Sequence, residues 1–186
     1  RFTLDDMIGN VRDAVGYACA RFPGAVGLMG SSQGGILTLL AAGGEHRIRA
    51  AFPHNVLFTP LRESLSVTRF PNALGVAYPV IRRIIAAAGR VLPGLQVPMS
   101  FYLDVNKVFS EQEWRDEFYR DPLGRTAYPV SFLSSLFATD MSVLVDGSIT
   151  CPVVAFVSTG DPLFTLDYSC LVYERLVAPE KRLVEL

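Results

Sequence analysis

The stretch Val26-Gly27-Leu28-Met29-Gly30-Ser31-Ser32-Gln33-Gly34-Gly35-Ile36-Leu37 joins a short apolar run to a segment that is apolar on almost every side. Residues 25–29 suit a parallel strand buried on both faces. Residues 33–42 predict a helix buried deep in the domain, stopped by Gly43-Gly44. Between them, Gly30-Ser31-Ser32-Gln33-Gly34 has the form G-x-S-x-G, with Gly35 following. A sharp strand-to-helix turn at this point puts Ser32 in a strained backbone conformation with its Oγ projecting. Strand and helix must then come close, so Gly30 and Gly34 are expected where no bulk fits. The helix N-terminus aims backbone N–H groups at the serine, and the N–H of Gln33 is the candidate oxyanion donor.

Two phosphate-binding patterns fail on the same residues. Gly30 and Gly35 have P-loop spacing, but Ile36 and Leu37 stand where the required Lys and Ser/Thr would be. The dinucleotide pattern G-x-G-x-x-G is absent, since Gly27 and Gly30 are three apart and Met29 directly precedes Gly30.

Outward from this turn the pattern alternates. Thr3-Leu4-Asp5-Asp6 resembles a helix cap with an acid three residues on. Leu4, Met7, Ile8, Val11, Val15, Ala18 and Phe22 then follow at the spacing of one helical face, and Pro23-Gly24 ends it. Residues 48–52 predict the next strand, closed by Pro53. Residues 153–158 predict another strand, 165–177 a helix ending before Pro179, and 181–186 the start of a further strand. Strands alternating with helices predict an α/β fold, a parallel sheet with helices on both faces. The excursion from residue 55 to 148 is far longer than the dozen residues a parallel crossover needs, which implies an inserted helical unit. Its helices are predicted at 78–92, 111–120 and 130–139. The chain therefore divides into a first core part (1–54), a helical cap insertion (55–148) and a second core part (149–186).

The 186 residues fit one domain, and half of them are hydrophobic, enough for a large core. A formal net charge of −1 offers no basic field for nucleic acid. No apolar run approaches the ~20 residues that span a bilayer. Cys19, Cys151 and Cys170 form an odd set without metal-ligand spacing, expected as reduced thiols in a cytoplasmic setting. The chain begins with Arg1 rather than methionine, so a removed leader stays open.

The Ser32 turn, its strand-before and helix-after context, and the long helical excursion together resemble the α/β-hydrolase superfamily, in particular its capped esterase, lipase and serine-peptidase-like branch. The resemblance covers residues 1–55 and 150–186. It implies a serine nucleophile, Ser32, and an acid on a turn after a late strand. In Ser158-Thr159-Gly160-Asp161-Pro162 that acid is Asp161, which would orient a histidine and stabilise its imidazolium. The same residues also suit a plain turn. Asp140, Asp146 and Asp167 lack the strand-end placement. The family's order is Ser, Asp, His, yet His46 and His54 both precede Asp161. His46 is expected in solvent. Ser31 and His54 are candidates for lining the pocket, because parallel sheets place their sites at the strands' C-terminal ends. The resemblance then implies a core truncated at both ends, with the histidine beyond Leu186 and the early strands before Arg1. Such a segment alone is expected to be nearly inactive.

The implied activity is hydrolysis of a small-molecule acyl substrate, a carboxylic ester with an apolar acyl group, without metal or organic cofactor. The aromatics Phe101, Tyr102, Phe109, Trp114, Phe118, Phe132 and Phe137 suggest an apolar cap pocket, although helical spacing equally suits core. Glu111, Glu113, Asp116 and Glu117, which amine recognition would call on, read as an exposed helix face. Arg82-Arg83 with Ile81, Ile84 and Ile85 fits either a membrane surface or a solvated arginine face. The same turn serves acyltransferases, and a non-catalytic ligand-binding relative of this fold is the alternative from another class.

Overall fold

The structure is a computed structural model that describes residues 3–109 and 111–186; Arg1 and Phe2 of the first core part, and Ser110, lie outside the described residues. Helix α1 (Leu4–Arg21) opens on the expected capping box. Thr3 Oγ1 accepts from the Asp6 N–H at 3.2 Å, and Asp6 Oδ2 accepts from the Thr3 N–H at 2.9 Å. Strand β1 (Val26–Ser31) follows, then helix α2 (Gln33–Ala42) and strand β2 (Ile48–His54). The excursion holds three 3-10 turns (Arg62–Val67, Asn72–Ala77 and, near its end, Ser142–Leu144), helix α3 (Tyr78–Val91), strand β3 (Gln96–Pro98) and the one-turn helices α4 (Met99–Tyr102) and α5 (Val105–Val108). It continues with helix α6 (Gln112–Arg120), strand β4 (Ala127–Pro129) and helix α7 (Val130–Ala138). Strand β5 (Val153–Val157), helix α8 (Leu166–Arg175) and strand β6 (Lys181–Glu185) complete the chain.

The main sheet runs β1-β2-β5-β6, every pair parallel. β3 and β4 form a separate antiparallel ribbon inside the excursion. The ribbon goes unannounced by the sequence, because strands of three residues are too short to show a period of two. β2 continues past its expected stop at Pro53. Pro53 withholds an N–H, but the His54 carbonyl still accepts from the Ser32 N–H at 2.9 Å, so the ladder persists to the strand tip.

Successive strands advance in one direction across this sheet. Right-handed crossovers then place their helices on a common face, and burial agrees. Ala51, Val153, Ala155 and Val157 are buried on the face that packs against α2 and α8. On the other face Met29 is 75 % exposed, and Phe52, Val154 and Phe156 are half-buried. Among the described residues, helices α2 and α8 cover the first of these faces.

One core includes Leu4, Ile36, Leu39, Ala51, Val153, Tyr168 and Val172, and also Met141, Leu144 and Ile149 from the end of the excursion. Each such Leu, Ile or Val contributes roughly 1.5–3 kcal/mol by leaving water. Polar ties fasten the excursion at both ends. Leu4 N–H donates to Ser135 Oγ at 2.8 Å, joining α1 to α7. The Phe58 N–H donates to the buried Tyr168 hydroxyl at 3.0 Å, joining the excursion's start to α8. Tyr78 donates to the Thr59 carbonyl at 2.7 Å, and burial pushes its phenol up to about 12.

Candidate active site

Ser32 sits between β1 and α2 with φ 54° and ψ −116°. Among the described residues, Ser32 and Asn55 are the non-glycine residues in the left-handed region, which costs a residue bearing a Cβ on the order of 1–3 kcal/mol. The Ser32 carbonyl accepts from the N–H groups of Gly35 and Ile36 at 3.0 and 3.3 Å, which begins the helix. Its side chain makes no cap hydrogen bond, so the exposed Oγ is left to face outward. Gln33 is the first residue of α2, and its N–H is among those a helix leaves without an internal partner. The Gln33 side chain turns back to α1, where Nε2 meets Met7 Sδ at 3.0 Å. Only its backbone is then presented at the serine.

The close approach expected at Gly30 and Gly34 falls at Gly30 and Gly35. A Cβ at Gly30 would collide with the Gly34 carbonyl and lie 2.8 Å from Thr38 Oγ1. A Cβ at Gly35 would lie 2.5 Å from the His54 carbonyl oxygen. At Gly34 an added Cβ meets nothing within 4 Å outside its own helix backbone. Gly30→Ala and Gly35→Ala are each expected to destabilise the protein by about 1–3 kcal/mol, while Gly34→Ala stays within about 0.5 kcal/mol. Thermal unfolding of the three variants checks this, and equal shifts would contradict it.

Asp161 follows β5 and is half-buried. Its Oδ1 accepts from the N–H groups of Leu163 and Phe164 at 2.7 and 2.8 Å, so the turn role weighed from sequence is real. Its Oδ2 accepts from Asn55 Nδ2 at 2.7 Å. Asn55, which carries no motif in the sequence, is 5 % exposed with φ 52°, and its Oδ1 is buried without a partner among the described residues. The available signal was residue type, since asparagine tolerates the left-handed region and here directly follows a strand. His54 and Asn55 thus tie the two candidate centres together. The His54 carbonyl receives the Ser32 N–H, and the next residue's amide holds Asp161. Asp140 and Asp146 cap their own turns through the N–H groups of Ser142 and Ser148, each at 2.8 Å. Asp167 lies exposed in the first turn of α8.

The imidazole of His54 bridges two hydroxyls. Nδ1 lies 2.8 Å from Ser31 Oγ and Nε2 lies 2.9 Å from Ser158 Oγ. A neutral ring has one donor and one acceptor, and rotatable hydroxyls satisfy both. The ring is therefore committed to Ser31 and Ser158 rather than to Ser32. His46 is exposed, 3.3 Å from Thr150 Oγ1.

A cleft of about 780 Å³ opens beside the acid loop. Its lining includes Pro162 and Thr165 together with the polar residues Thr68, Arg69, Ser100, Asp104, Asn106 and Lys107. Ser31 and His54, expected to line a pocket, are not part of its wall; they bond to each other instead. Nor do the excursion's expected aromatics line it. Phe109 packs on Phe118 with centroids 5.2 Å apart, and Phe132 on Tyr128 at 5.3 Å. Phe101 and Trp114 face solvent, and burial pushes the Tyr102 phenol up to about 12. Among the described residues no three His, Cys, Asp or Glu side chains group as a metal cage.

A strained serine at the tip of a parallel strand, heading a buried helix, places the chain in the α/β-hydrolase fold. Residues 3–186 match the model of the family described as serine aminopeptidase, S33, and the chain belongs to that family. Solved structures agree on the fold. The monoacylglycerol lipase of Paleococcus ferrophilus is 17 % identical, with a TM-score of 0.75 over 100 % of this chain and 65 % of its own. A soluble variant of monoglyceride lipase from Saccharomyces cerevisiae, in complex with a substrate analogue, is 14 % identical, with a TM-score of 0.64 over 98 % of this chain and 59 % of its own. A structure of metagenome-derived lipolytic enzymes is 19 % identical, with a TM-score of 0.63 over 100 % of this chain and 64 % of its own. No curated protein matches the chain. The chain spans less than two thirds of the length of each of these structures.

Proposed function

We propose that this chain carries the nucleophile and the acid of a serine hydrolase acting on carboxylic esters. The observation that carries the proposal is Ser32 in a left-handed conformation at the head of α2, its hydroxyl unused by the backbone. Such strain persists only where the surroundings over-determine it, and it gathers at functional sites. Ser32 Oγ attacks the ester carbonyl carbon, and its proton passes to a histidine supplied by sequence outside residues 1–186. The carbonyl oxygen gains negative charge and is met by the Gln33 N–H. The acyl C–O bond then breaks, and the histidine returns the proton to the departing alcohol. Water attacks the acyl-enzyme by the same route in reverse. Asp161, held by Asn55, orients the histidine.

The cleft adjoins the acid loop at Pro162 and does not include Ser32 in its lining, and its charge balance suits esters better than peptides with a free amino terminus. It sets Arg69 and Lys107 against a single carboxylate, Asp104, which is the wrong balance for a protonated amine. Its hydroxyl and amide lining suits an ester whose alcohol portion is itself hydroxylated. The test is fluorophosphonate labelling of the full-length protein, with the modified peptide located by mass spectrometry and Ser32→Ala alongside. Label on Ser32, together with turnover of nitrophenyl esters but not of aminoacyl nitroanilides, is the expected result. A folded protein that takes no label would overturn the proposal.

A further inference from the structure

Helix α3 has two opposed faces, and only one of them is used inside the chain. Tyr78, Arg82, Ile85 and Gly89 recur at the spacing of one face. Tyr78 is buried, Arg82 Nε donates to the Phe137 carbonyl at 3.1 Å, and Gly89 is pressed against Ser134. This side lies on α7. Val80, Ile84, Ala87 and Val91 repeat the same spacing two residues on, about 200° around the helix. That stripe is open: Val80 is 57 %, Ile84 62 % and Val91 76 % exposed. Val76, Leu92 and Leu95, which flank the helix, are exposed as well.

The sequence segment that carries the stripe has charge of one sign. Residues 64–103 contain four arginines, Arg69, Arg82, Arg83 and Arg90, and no Asp, Glu or Lys, in a chain whose net charge is −1. Arg83 and Arg90 are exposed and line one edge of the stripe, one helical step away. A row of large apolar side chains edged by arginines, in a segment (64–103) without a carboxylate, matches the surface of an anionic bilayer. The apolar row enters the acyl boundary while the guanidinium groups stay among phosphates. A protein partner would have to match this edge with carboxylates at set positions, whereas an anionic bilayer offers negative charge at every point of its surface. No helix of the described residues is long and apolar enough to cross the bilayer, so contact is at the surface.

We infer that α3 is a membrane-surface docking helix that binds bilayers containing anionic lipid, through Val80, Ile84 and Val91 with Arg83 and Arg90 along one edge. The docking is independent of any chemistry at Ser32. The experiment is co-sedimentation of the full-length protein with phosphatidylcholine vesicles, with and without phosphatidylserine. The protein is expected to bind the mixed vesicles, and the combined Val80→Ser, Ile84→Ser, Val91→Ser variant to lose about 100-fold in partitioning. Arg83→Gln with Arg90→Gln should lose about 25-fold on the mixed vesicles and little on neutral ones. Unchanged unfolding temperatures, expected for exposed positions, separate lost docking from lost fold. A wild-type protein that stays in the supernatant, or variants that sediment equally, would overturn the inference. So would a concentration-dependent dimer that the triple variant abolishes in sedimentation without vesicles, since the stripe would then belong to a second copy.

Discussion

Ser32→Ala in the full-length protein is expected to lower ester turnover by on the order of 10⁶ while leaving the fold intact. The two halves of this expectation have separate causes. Catalysis falls because Oγ is the atom that would form the acyl-enzyme, and no neighbouring hydroxyl can take its place. Ser31 Oγ is engaged with His54 Nδ1 at 2.8 Å, and Ser158 Oγ with His54 Nε2 at 2.9 Å. The fold survives because the Ser32 side chain makes no cap hydrogen bond, and alanine keeps the same Cβ in the same left-handed backbone. Substrate binding, read from KM, should barely move, because the lost interaction belongs to the reacting centre. A loss of only tenfold, measured with a nitrophenyl ester, would remove Ser32 from the role of nucleophile.

Asp161→Asn is expected to cost on the order of 10⁴ in turnover. Asparagine keeps an oxygen to accept from the Leu163 and Phe164 N–H groups, so the turn after β5 stays formed. What changes is the other atom. An amide nitrogen now faces Asn55 Nδ2, donor against donor. Asn55 relieves this by turning its own amide over, presenting the Oδ1 that had no partner among the described residues. The expected loss of stability is therefore about 1 kcal/mol, while the charge that would steady an imidazolium is gone altogether. Paired measurements of kcat and unfolding temperature decide the matter. If turnover falls only as far as stability does, Asp161 is a turn residue and the acid lies elsewhere.

The parts of this molecule legible in sequence are those whose physics is local. Thr3 and Asp6 cap α1 through bonds spanning three residues, and the alternation of apolar runs with amphipathic stretches marks strands and helices to within a residue or two. Ser32 is legible because a strand, a sharp turn and a helix are all adjacent to it in the chain. The constraint at Gly35 is not legible in the sequence, because its neighbour is the His54 carbonyl, brought in by the pairing of β1 with β2. The same holds for Asn55, whose importance lies in reaching Asp161 across the gap between two strand ends. The excursion's aromatics show the limit from the other side. Sequence identifies the rings but not their directions, and Phe109, Phe118, Phe132 and Tyr128 turn towards one another rather than into a pocket.

The left-handed turn at position 32 has a consequence for what this site can become. Cysteine and alanine have a single heavy substituent or none on Cβ, and glycine escapes the strain altogether. Threonine, valine and isoleucine set a second heavy atom against a backbone at φ 54°. The alphabet tolerated here is thus sorted by branching rather than by polarity. Threonine, chemically the nearest neighbour of serine, should be among the worst accepted, and cysteine among the best. A library of all residues at this position, selected only for yield of folded protein, should return that order, and a swap from oxygen to sulfur at the proposed nucleophile is the change the backbone leaves open.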